Sequence, residues 1–326
     1  MTVTFYITRH GETQFNVENR VQGWCDSPLT AKGIYDAYKL GQGLAGVDFV
    51  GACTSDAGRA KDTLAIALEA RLNERERLYH GLPIPKEQVR AEEASALLEA
   101  GMLGHEEHAE AVIGLLRSRG CLAPRSSVPD SGETSSAAAR LLAAAEAWRP
   151  PIDELSRIEY PAFDVGARAL DGHAERPIPV RCDESLREWC FGDLEGESSR
   201  RLRNRLFDLF GDDIPREDQN ERLDEIADYL HATDAAGRAE DFAAIAARVR
   251  GFLEECGRSV ERRGGGNVLV VTHAMFIRAL VFLFARDRVR TPAKIANASV
   301  TKVRWDDGAV TVEAIGDVTH LGSRRG

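Results

Sequence analysis

The chain has 326 residues, of which 43% are hydrophobic, so it is long enough for one large domain or two smaller ones and can bury a sizeable core. Its formal net charge is −10. This charge argues against non-specific binding to nucleic acid or to an anionic membrane surface, because both need a positive field. Any site that binds an anion must therefore be a local cluster of basic groups.

Neither a targeting segment nor a membrane-spanning segment is predicted. The first apolar stretch, residues 3–7, is too short for the core of a signal peptide and lacks a basic flank. The longest strongly apolar run, residues 279–285, is far below the roughly 20 residues that a spanning helix needs. The six cysteines form no C-x-x-C pair, so we expect reduced thiols, no zinc knot and a cytoplasmic location.

The N-terminal part of the chain alternates strand and helix patterns. The first pattern is rich in β-branched and aromatic residues and predicts a buried strand that runs directly into Arg9 and His10. The elements predicted here are a strand at 3–8, a helix from a Thr30 cap to about 44, a strand at 49–54, and a helix at 57–70 capped by Ser55-Asp56.

Residues 71–179 have a different composition, rich in Ala, Glu and Arg, without an evident buried strand. Helical stretches are predicted near 86–100, 105–119 and 133–148. We interpret this segment as a mainly helical insertion, with a cap over the site as one hypothesis, between the two parts of a catalytic domain at 1–70 and 180–326. His105 and His108 share one predicted helix face, but no third metal ligand is evident, so a solvated helix is favoured.

The C-terminal part returns to strand patterns. The predicted elements are a strand at 267–272, an apolar helix at 274–285, and a hairpin of 299–305 and 310–315 around Asp306-Asp307-Gly308. Strands that alternate with helices predict an α/β domain with a largely parallel sheet. In such sheets ligands bind at the carboxyl ends of the strands, which is where His10, Arg59 and His273 are expected.

These positions suit phosphoryl transfer. A phosphoryl group in transfer needs a nucleophile on one side, a proton donor on the other, and cations on its equatorial oxygens. Arg9, His10, Arg59, Glu188 and His273 offer such a set. Taken alone, Glu188 would be an ordinary surface carboxylate and His273 a core histidine at a strand end.

The segment TRHGETQFN at residues 8–16 resembles the signature of the histidine phosphatase superfamily, which includes cofactor-dependent phosphoglycerate mutases. Further segments agree in the family's order, over roughly two thirds of the chain: they lie at 20–30, 54–63, 184–196, 270–278 and 316–321. The resemblance implies a phosphoglycerate mutase-like three-layer α/β fold with a mostly parallel central sheet.

The resemblance also implies residue roles. His10 would attack phosphorus and become phosphohistidine, and Glu188 would act as acid and then as base. Arg9, Arg59 and His273 would hold the phosphoryl oxygens. The further residues expected to line the phosphate pocket are Asn16, Gln22, Gly23 and Ala274, the last of which stands where the family usually has glycine. No metal and no organic cofactor is implied.

Details of the motifs favour hydrolysis over isomerisation. The Trp-Arg-Arg segment of the mutases is absent after the acid motif, and Gln22-Gly23 stands where mutases usually have Thr-Gly. We therefore predict a histidine acid phosphatase-type phosphomonoesterase that acts on a small phosphorylated metabolite. A mutase-type isomerase and a non-catalytic phosphate-ligand binding or scaffold protein are the alternatives. Nucleic acid and membrane are not expected as partners, and a homo-oligomer is left open.

Overall fold

The molecule is built around a six-stranded, mostly parallel sheet. The computed structural model describes residues 1–79, 169–170, 173–174 and 178–321. In space the sheet strands follow the order β5-β2-β6-β1-β7-β8. In chain order the strands are β1 (Val3–Arg9), β2 (Phe49–Thr54), the short pair β3 (Ala169–Leu170) and β4 (His173–Ala174), β5 (Val180–Cys182), β6 (Gly266–Thr272), β7 (Val300–Asp306) and β8 (Ala309–Asp317).

Helices cover both faces of this sheet. They are α1 (Gln14–Val17), α2 (Ala31–Gly43), α3 (Gly58–Tyr79), α4 (Ser199–Phe210), α5 (Arg216–Asn220), α6 (Leu223–Thr233), α7 (Phe242–Glu261) and α8 (Ala274–Phe284). The four strands β5, β2, β6 and β1 pair in parallel, while β7 pairs antiparallel with both β1 and β8.

Strand β6 shows how the sequence produces the layers. Successive side chains of a strand point to opposite faces. Val268 and Val270 pack into one hydrophobic cluster with helices α7 and α8, while Leu269 and Val271 pack into a second cluster with α2 and α3. Because both faces are covered, the strand is an uninterrupted apolar run, as expected for a buried parallel strand.

The predicted α/β class with a mostly parallel sheet is confirmed. The Thr30 cap is also confirmed, since its side-chain oxygen accepts the N–H of Gly33 at 3.0 Å. The predicted hairpin is β7–β8, and Asp307 and Gly308 both have positive φ, as a tight hairpin turn requires.

The predicted end of the second helix at residue 70 is wrong, because α3 continues to Tyr79. The continuation is rich in charged residues, yet Arg71 is only 2% exposed. Its guanidinium donates to the carbonyl of Val47 at 2.6 Å and stacks over the ring of Phe49 at 5.4 Å. The helices predicted within 86–148 lie outside the described residues. Strands β3, β4 and β5 and helices α1, α5, α6 and α7 were not predicted.

Candidate active site

Three neighbouring parallel strands deliver the predicted polar groups to one edge of the sheet. His10 follows β1, Arg59 follows β2, and His273 follows β6. In the sheet β6 lies between β2 and β1, with Arg9 paired to Thr272. The rings of His10 and His273 consequently lie 5.2 Å apart between centroids. The sheet register therefore assembles residues that are more than 260 positions apart in the chain.

His10 is held as a neutral imidazole of defined orientation. It is 3% exposed, and its Nδ1 lies 2.7 Å from the carbonyl oxygen of Gly11, to which Nδ1–H donates. This bond leaves Nε2 as the unprotonated nitrogen. Burial, followed by the positive charges of Arg59 and Arg9, lowers the pKa of His10 well below its usual value. The nucleophilic form is thus the resting form at neutral pH.

Backbone packing fixes the loop that carries His10. A Cβ atom on Gly11 would lie 2.5 Å from the carbonyl oxygen of Gly33, and one on Gly33 would lie 2.0 Å from that of Glu12. Only glycine allows this approach of α2 to the loop. The N–H of Gly11 also donates to Thr63 Oγ1 at 2.9 Å, and the Thr63 hydroxyl donates to the carbonyl of Arg59 at 2.7 Å.

The side chains of Arg9 and Asn16 contact each other beside His10. Arg9 Nη1 donates to the carbonyl of Ile295 at 2.7 Å, and Arg9 Nη2 lies 3.5 Å from Asn16 Oδ1. The same Asn16 oxygen accepts from Asn297 Nδ2 at 3.2 Å. Because the carbonyl of the Asn16 side chain is occupied, its amide NH₂ is the group left to bind an anion.

Arg59 and His273 form a buried pair. Arg59 Nη2 donates to His273 Nδ1 at 3.0 Å, and His273 Nε2–H donates to Ser55 Oγ at 2.9 Å. Arg59 also holds the carbonyls of Gly23 and Cys25 at 2.7 and 2.9 Å. Both ring nitrogens of His273 are therefore bound to protein groups, so a direct contact of this ring with phosphate needs one of these bonds to be exchanged.

Two arginine Nε–H groups carry unused hydrogen-bonding capacity. The Nε atoms of Arg9 and Arg59 are buried without a partner among the described residues. A buried donor without an acceptor costs about 1–3 kcal/mol. An oxyanion beside them would remove this cost.

Glu188 is a buried carboxyl group, so the surface interpretation is wrong. It is 5% exposed, and its oxygens accept the N–H groups of Trp189, Met275 and Phe276 at 3.0–3.1 Å. Burial raises the pKa of Glu188 above its usual value, although these N–H donors and the cations Arg59 and Arg9 act in the opposite direction. A raised pKa makes this carboxyl a better proton donor near neutral pH.

The backbone around Glu188 is fixed from two sides. Arg248 on α7 donates to the carbonyls of Ser185, Arg187 and Glu188 at 2.6–3.1 Å. Trp24 Nε1 donates to the carbonyl of Glu188 at 3.0 Å. Glu188 is therefore held by a long helix and by the loop that follows the His10 segment.

A cleft of about 440 Å³ opens over these groups. The predicted site residues that line it are Arg9, His10, Asn16, Gln22, Glu188 and Ala274. Arg59 and His273 are buried next to this lining, with 1% and 0% of their surface exposed. The Gly23 N–H donates to Glu195, and the Gln22 side chain bonds to Thr13 and Ser27. Gln22 and Gly23 thus shape the loop through contacts within the protein.

Several supporting residues were missed by sequence reasoning. Glu195 lies within the recognised acid segment, and its carboxylate accepts the N–H groups of Gly23, Trp24, Cys25 and Phe191 at 2.9–3.1 Å. Thr63 also lies within a recognised segment. Asn297 and Arg248 have no sequence signal, because only the fold brings them to the site.

In the part of the chain that the structure describes, neither a metal-binding cluster nor a membrane-spanning helix is present. Within 1–79 and 178–321, no cluster of three or more His, Cys, Asp or Glu side chains is placed to hold a metal ion. Over the same part of the chain, every helix is too short or too polar to cross a bilayer.

The sequence and the fold are both similar to those of known proteins. The family model of the histidine phosphatase superfamily (branch 1) matches residues 5–79 and 167–318. The probable phosphoglycerate mutase GpmB of Salmonella choleraesuis (strain SC-B67) is 46% identical over 65 residues. That match spans 20% of this chain and 30% of the relative, so less than a third of the relative's length is covered.

Solved structures share the fold. The phosphoglycerate mutase from Bacillus anthracis str. Sterne superposes with a TM-score of 0.63 at 24% identity, over 98% of this chain and 95% of the other. A mycobacterial glucosyl-3-phosphoglycerate phosphatase superposes with a TM-score of 0.50 at 18% identity, over 97% and 99%. At these identities the likeness concerns the fold alone.

Proposed function

The chain belongs to the histidine phosphatase superfamily (branch 1), and from this membership and the site we propose that it is a phosphomonoesterase. Its substrate is a small phosphorylated metabolite, and the reaction passes through a phosphohistidine at His10. Proteins of similar fold carry the names of both phosphatases and mutases. Hydrolysis is the reaction that the described side chains can complete with water alone.

The observation that carries the proposal is the hydrogen bonding of the His10 ring at the cleft. Its Nδ1–H is engaged by the Gly11 carbonyl, and its Nε2 faces the cleft without a protein partner among the described residues. A lowered pKa keeps this nitrogen unprotonated. A nucleophile needs these three properties together: orientation, access and a free electron pair.

In the first step, His10 Nε2 forms a bond to phosphorus while the bond from phosphorus to the ester oxygen breaks. The leaving oxygen takes a proton from Glu188 and departs as an alcohol. Arg9 and Arg59 supply positive charge beside the phosphoryl oxygens, where charge develops in the transition state. The products of this half-reaction are the alcohol and a phosphorylated His10.

In the second step, the ionised Glu188 accepts a proton from water as the water oxygen attacks phosphorus. The bond from Nε2 to phosphorus breaks, and inorganic phosphate leaves. Glu188 is again protonated and His10 is again neutral, so the cycle closes with one ester and one water consumed. One group thus acts first as acid and then as base.

The test is phosphate release from a panel of phosphomonoesters, measured for wild type, His10→Ala and His231→Ala, each with and without diphosphoglycerate. His231 is an exposed histidine on α6 and serves as the matched control. We expect hydrolysis without the activator, a loss of at least about 10⁴-fold in His10→Ala, and wild-type rates in His231→Ala.

Other outcomes have distinct meanings. Isomerisation that depends on diphosphoglycerate would support the mutase alternative. A folded protein that binds phosphate but turns over none of the panel would support a non-catalytic binding protein. Substantial hydrolysis by His10→Ala would contradict the phosphohistidine mechanism.

A further inference from the structure

Two cysteines that the proposed reaction does not use lie in contact outside the cleft. Cys53 on β2 and Cys256 on α7 are each 5% exposed and belong to the same hydrophobic cluster. Their thiols are hydrogen-bonded to each other, and both cysteines are reduced in the structure. Contact between the two sulfur atoms is the first geometric requirement for a disulfide.

The sheet register and α7 together fix this contact. Cys53 is paired in parallel register with Arg181 of β5, so both side chains leave the sheet on the same face. Arg181 Nη1 donates to Glu255 at 2.6 Å, and Glu255 immediately precedes Cys256 on α7. One arginine therefore connects the strand beside Cys53 to the helical turn that carries Cys256.

Arg181 also retains a donor that suits a sulfur anion. Its Nη2 donates to Asp183 at 2.5 Å, whereas its Nε is buried without a partner among the described residues. Burial acts to lower the pKa of Arg181, but Cys53 and then Glu255 raise it above its usual value. Because a buried donor without an acceptor is costly, this Nε–H favours the ionised form of a neighbouring thiol.

The two thiols differ in how readily they ionise. The hydrogen bond from Cys53 lowers the pKa of Cys256, which burial opposes and Arg181 supports. The same hydrogen bond, followed by burial, raises the pKa of Cys53. Burial raises the pKa of the other described thiols, which are those of Cys25, Cys182 and Cys190. Within the described part of the chain, Cys256 is thus the thiol most suited to react with an oxidant, because the thiolate is the reactive form.

We propose that Cys53 and Cys256 are a redox-active dithiol, with Arg181 as its neighbouring cation, which hydrogen peroxide converts into an intramolecular disulfide. The oxidant has to be small, since both thiols are almost closed to solvent. Cys256 reacts first, and Cys53 then resolves the oxidised sulfur. This site lies apart from the cleft, so the inference does not depend on the proposed function.

The chemistry takes two steps. The Cys256 sulfur forms a bond to one peroxide oxygen while the O–O bond breaks, and the other oxygen takes the proton of the Cys256 thiol and leaves as water. The Cys53 sulfur then bonds to the Cys256 sulfur while the S–O bond breaks, and the hydroxyl leaves with the proton of Cys53 as a second water. Two thiols are oxidised to one disulfide, and one peroxide is reduced to two waters.

The test treats the full chain with hydrogen peroxide, alkylates the remaining thiols after denaturation, and analyses the digest by mass spectrometry. Wild type has six cysteines. We expect it to lose two thiols, to yield a peptide pair linked through Cys53 and Cys256 in the monomer, and to regain both thiols with dithiothreitol. This measurement needs no variant, so it stands even where a substitution impairs folding.

Four variants test the order of events. Cys256→Ser should slow the oxidation of Cys53 at least about tenfold, and Arg181→Gln should slow disulfide formation. In Cys53→Ser, Cys256 should proceed to a sulfinic acid that dithiothreitol does not reverse, because no resolving thiol is left. Cys182→Ser is the matched control, since Cys182 is an exposed cysteine next to Arg181, and it should form the wild-type disulfide.

Three results would overturn the proposal. The first is a disulfide in wild type that joins any other pair of cysteines instead. The second is a Cys53 and Cys256 pair that stays reduced after the exposed Cys182 has been oxidised. The third is an undiminished rate of Cys53 oxidation in Cys256→Ser.

Discussion

At the scale of single residues, the surroundings of the cleft shift the pKa values of two titratable groups in opposite directions. Burial and neighbouring arginines lower the pKa of His10, while burial raises the pKa of Glu188. These shifts favour a neutral imidazole at His10 and a protonated carboxyl group at Glu188. Those are the states that the first step of the proposed reaction needs, and environments that separate two pKa values in this way are typical of acid and base assignments.

Glu188→Gln tests the acid. The amide cannot donate an acidic proton, so hydrolysis of an alkyl phosphate should fall roughly 10²–10³-fold, whereas p-nitrophenyl phosphate, with its good leaving group, should lose far less. In wild type, the rate on the alkyl ester should also decline as pH rises through the raised pKa of Glu188. Profiles of kcat/KM against pH for both esters check this. Equal losses on the two esters would argue against a leaving-group acid.

Asp62 on α3 gives a second prediction, about stability. Burial, with the nearby charge of Asp26, raises the pKa of Asp62 to about 7, and its Oδ1 lacks a partner in the described part of the chain. Because the folded-state pKa is above the unfolded one, the group stabilises the fold at low pH, and this contribution is lost as pH rises toward that value.

We therefore expect Asp62→Asn to gain stability over wild type between about pH 4 and pH 7, and to keep a gain of up to about 4 kcal/mol above that range. Denaturant unfolding at a series of pH values measures it. Asp208→Asn, at an exposed position on α4, is the control. A constant difference between Asp62→Asn and wild type at all pH values would contradict the assignment.

At the scale of elements, helix α8 links His273, whose ring lies beside that of His10, to Glu188. Its N-cap is His273, and the N–H groups of Met275 and Phe276 in its first turn donate to Glu188. A helix N-terminus stabilises negative charge, so it supports Glu188 in the ionised form that the second step requires. The same short helix start therefore positions groups that act in both half-reactions.

Helix α7 offers a matched pair of glycines. A Cβ on Gly257 would lie 2.6 Å from the ring of Trp305, whereas a Cβ on Gly251 would meet nothing within 4 Å. We expect Gly257→Ala to lower the free energy of unfolding by about 1–3 kcal/mol through overpacking. Gly251→Ala should raise it by about 0.5–1 kcal/mol through helix propensity. Denaturant unfolding of both variants checks this, and a similar sign for both would contradict the packing of α7 on β7.

At the scale of the whole molecule, charge is distributed unevenly. The chain carries a net charge of −10, yet cations outnumber carboxylates in the cleft lining. Local positive potential of this kind attracts anionic substrates, while the acidic remainder repels polyanions. The described lining residues also come from the two parts of the chain that flank the predicted insertion at 71–179.

Replacing residues 80–168 with a short Gly-Ser linker tests the hypothesis that the insertion caps the site. The family-model match is interrupted between residues 79 and 167. We expect the shortened protein to retain hydrolysis of p-nitrophenyl phosphate that depends on His10, and to change its ranking of larger phosphorylated metabolites. Relative kcat/KM values over a panel measure this. An unchanged ranking would contradict the hypothesis that the insertion caps the site and influences substrate specificity.

The success of sequence reasoning differed from element to element. The buried strand at 267–272 and the Thr30 cap could be predicted because continuous apolar runs and capping residues act locally. The end of α3 could not, since the buried arginine at position 71 is stabilised there by contacts with Val47 and Phe49, which lie outside the helix. Glu188 could be named only through its family segment, because its burial depends on α8 and α7.

By itself, the sequence determined the fold class, the alternation of strands and helices, and the identity of the nucleophile segment, because periodicity, caps and motifs are local properties. Only the tertiary structure decided the state of each site residue. The engagement of both ring nitrogens of His273 and the hydrogen bonds to the Glu188 carboxyl group depend on groups remote in the chain. Hydrogen bonding and burial act through space, so the order of residues along the chain does not reveal them.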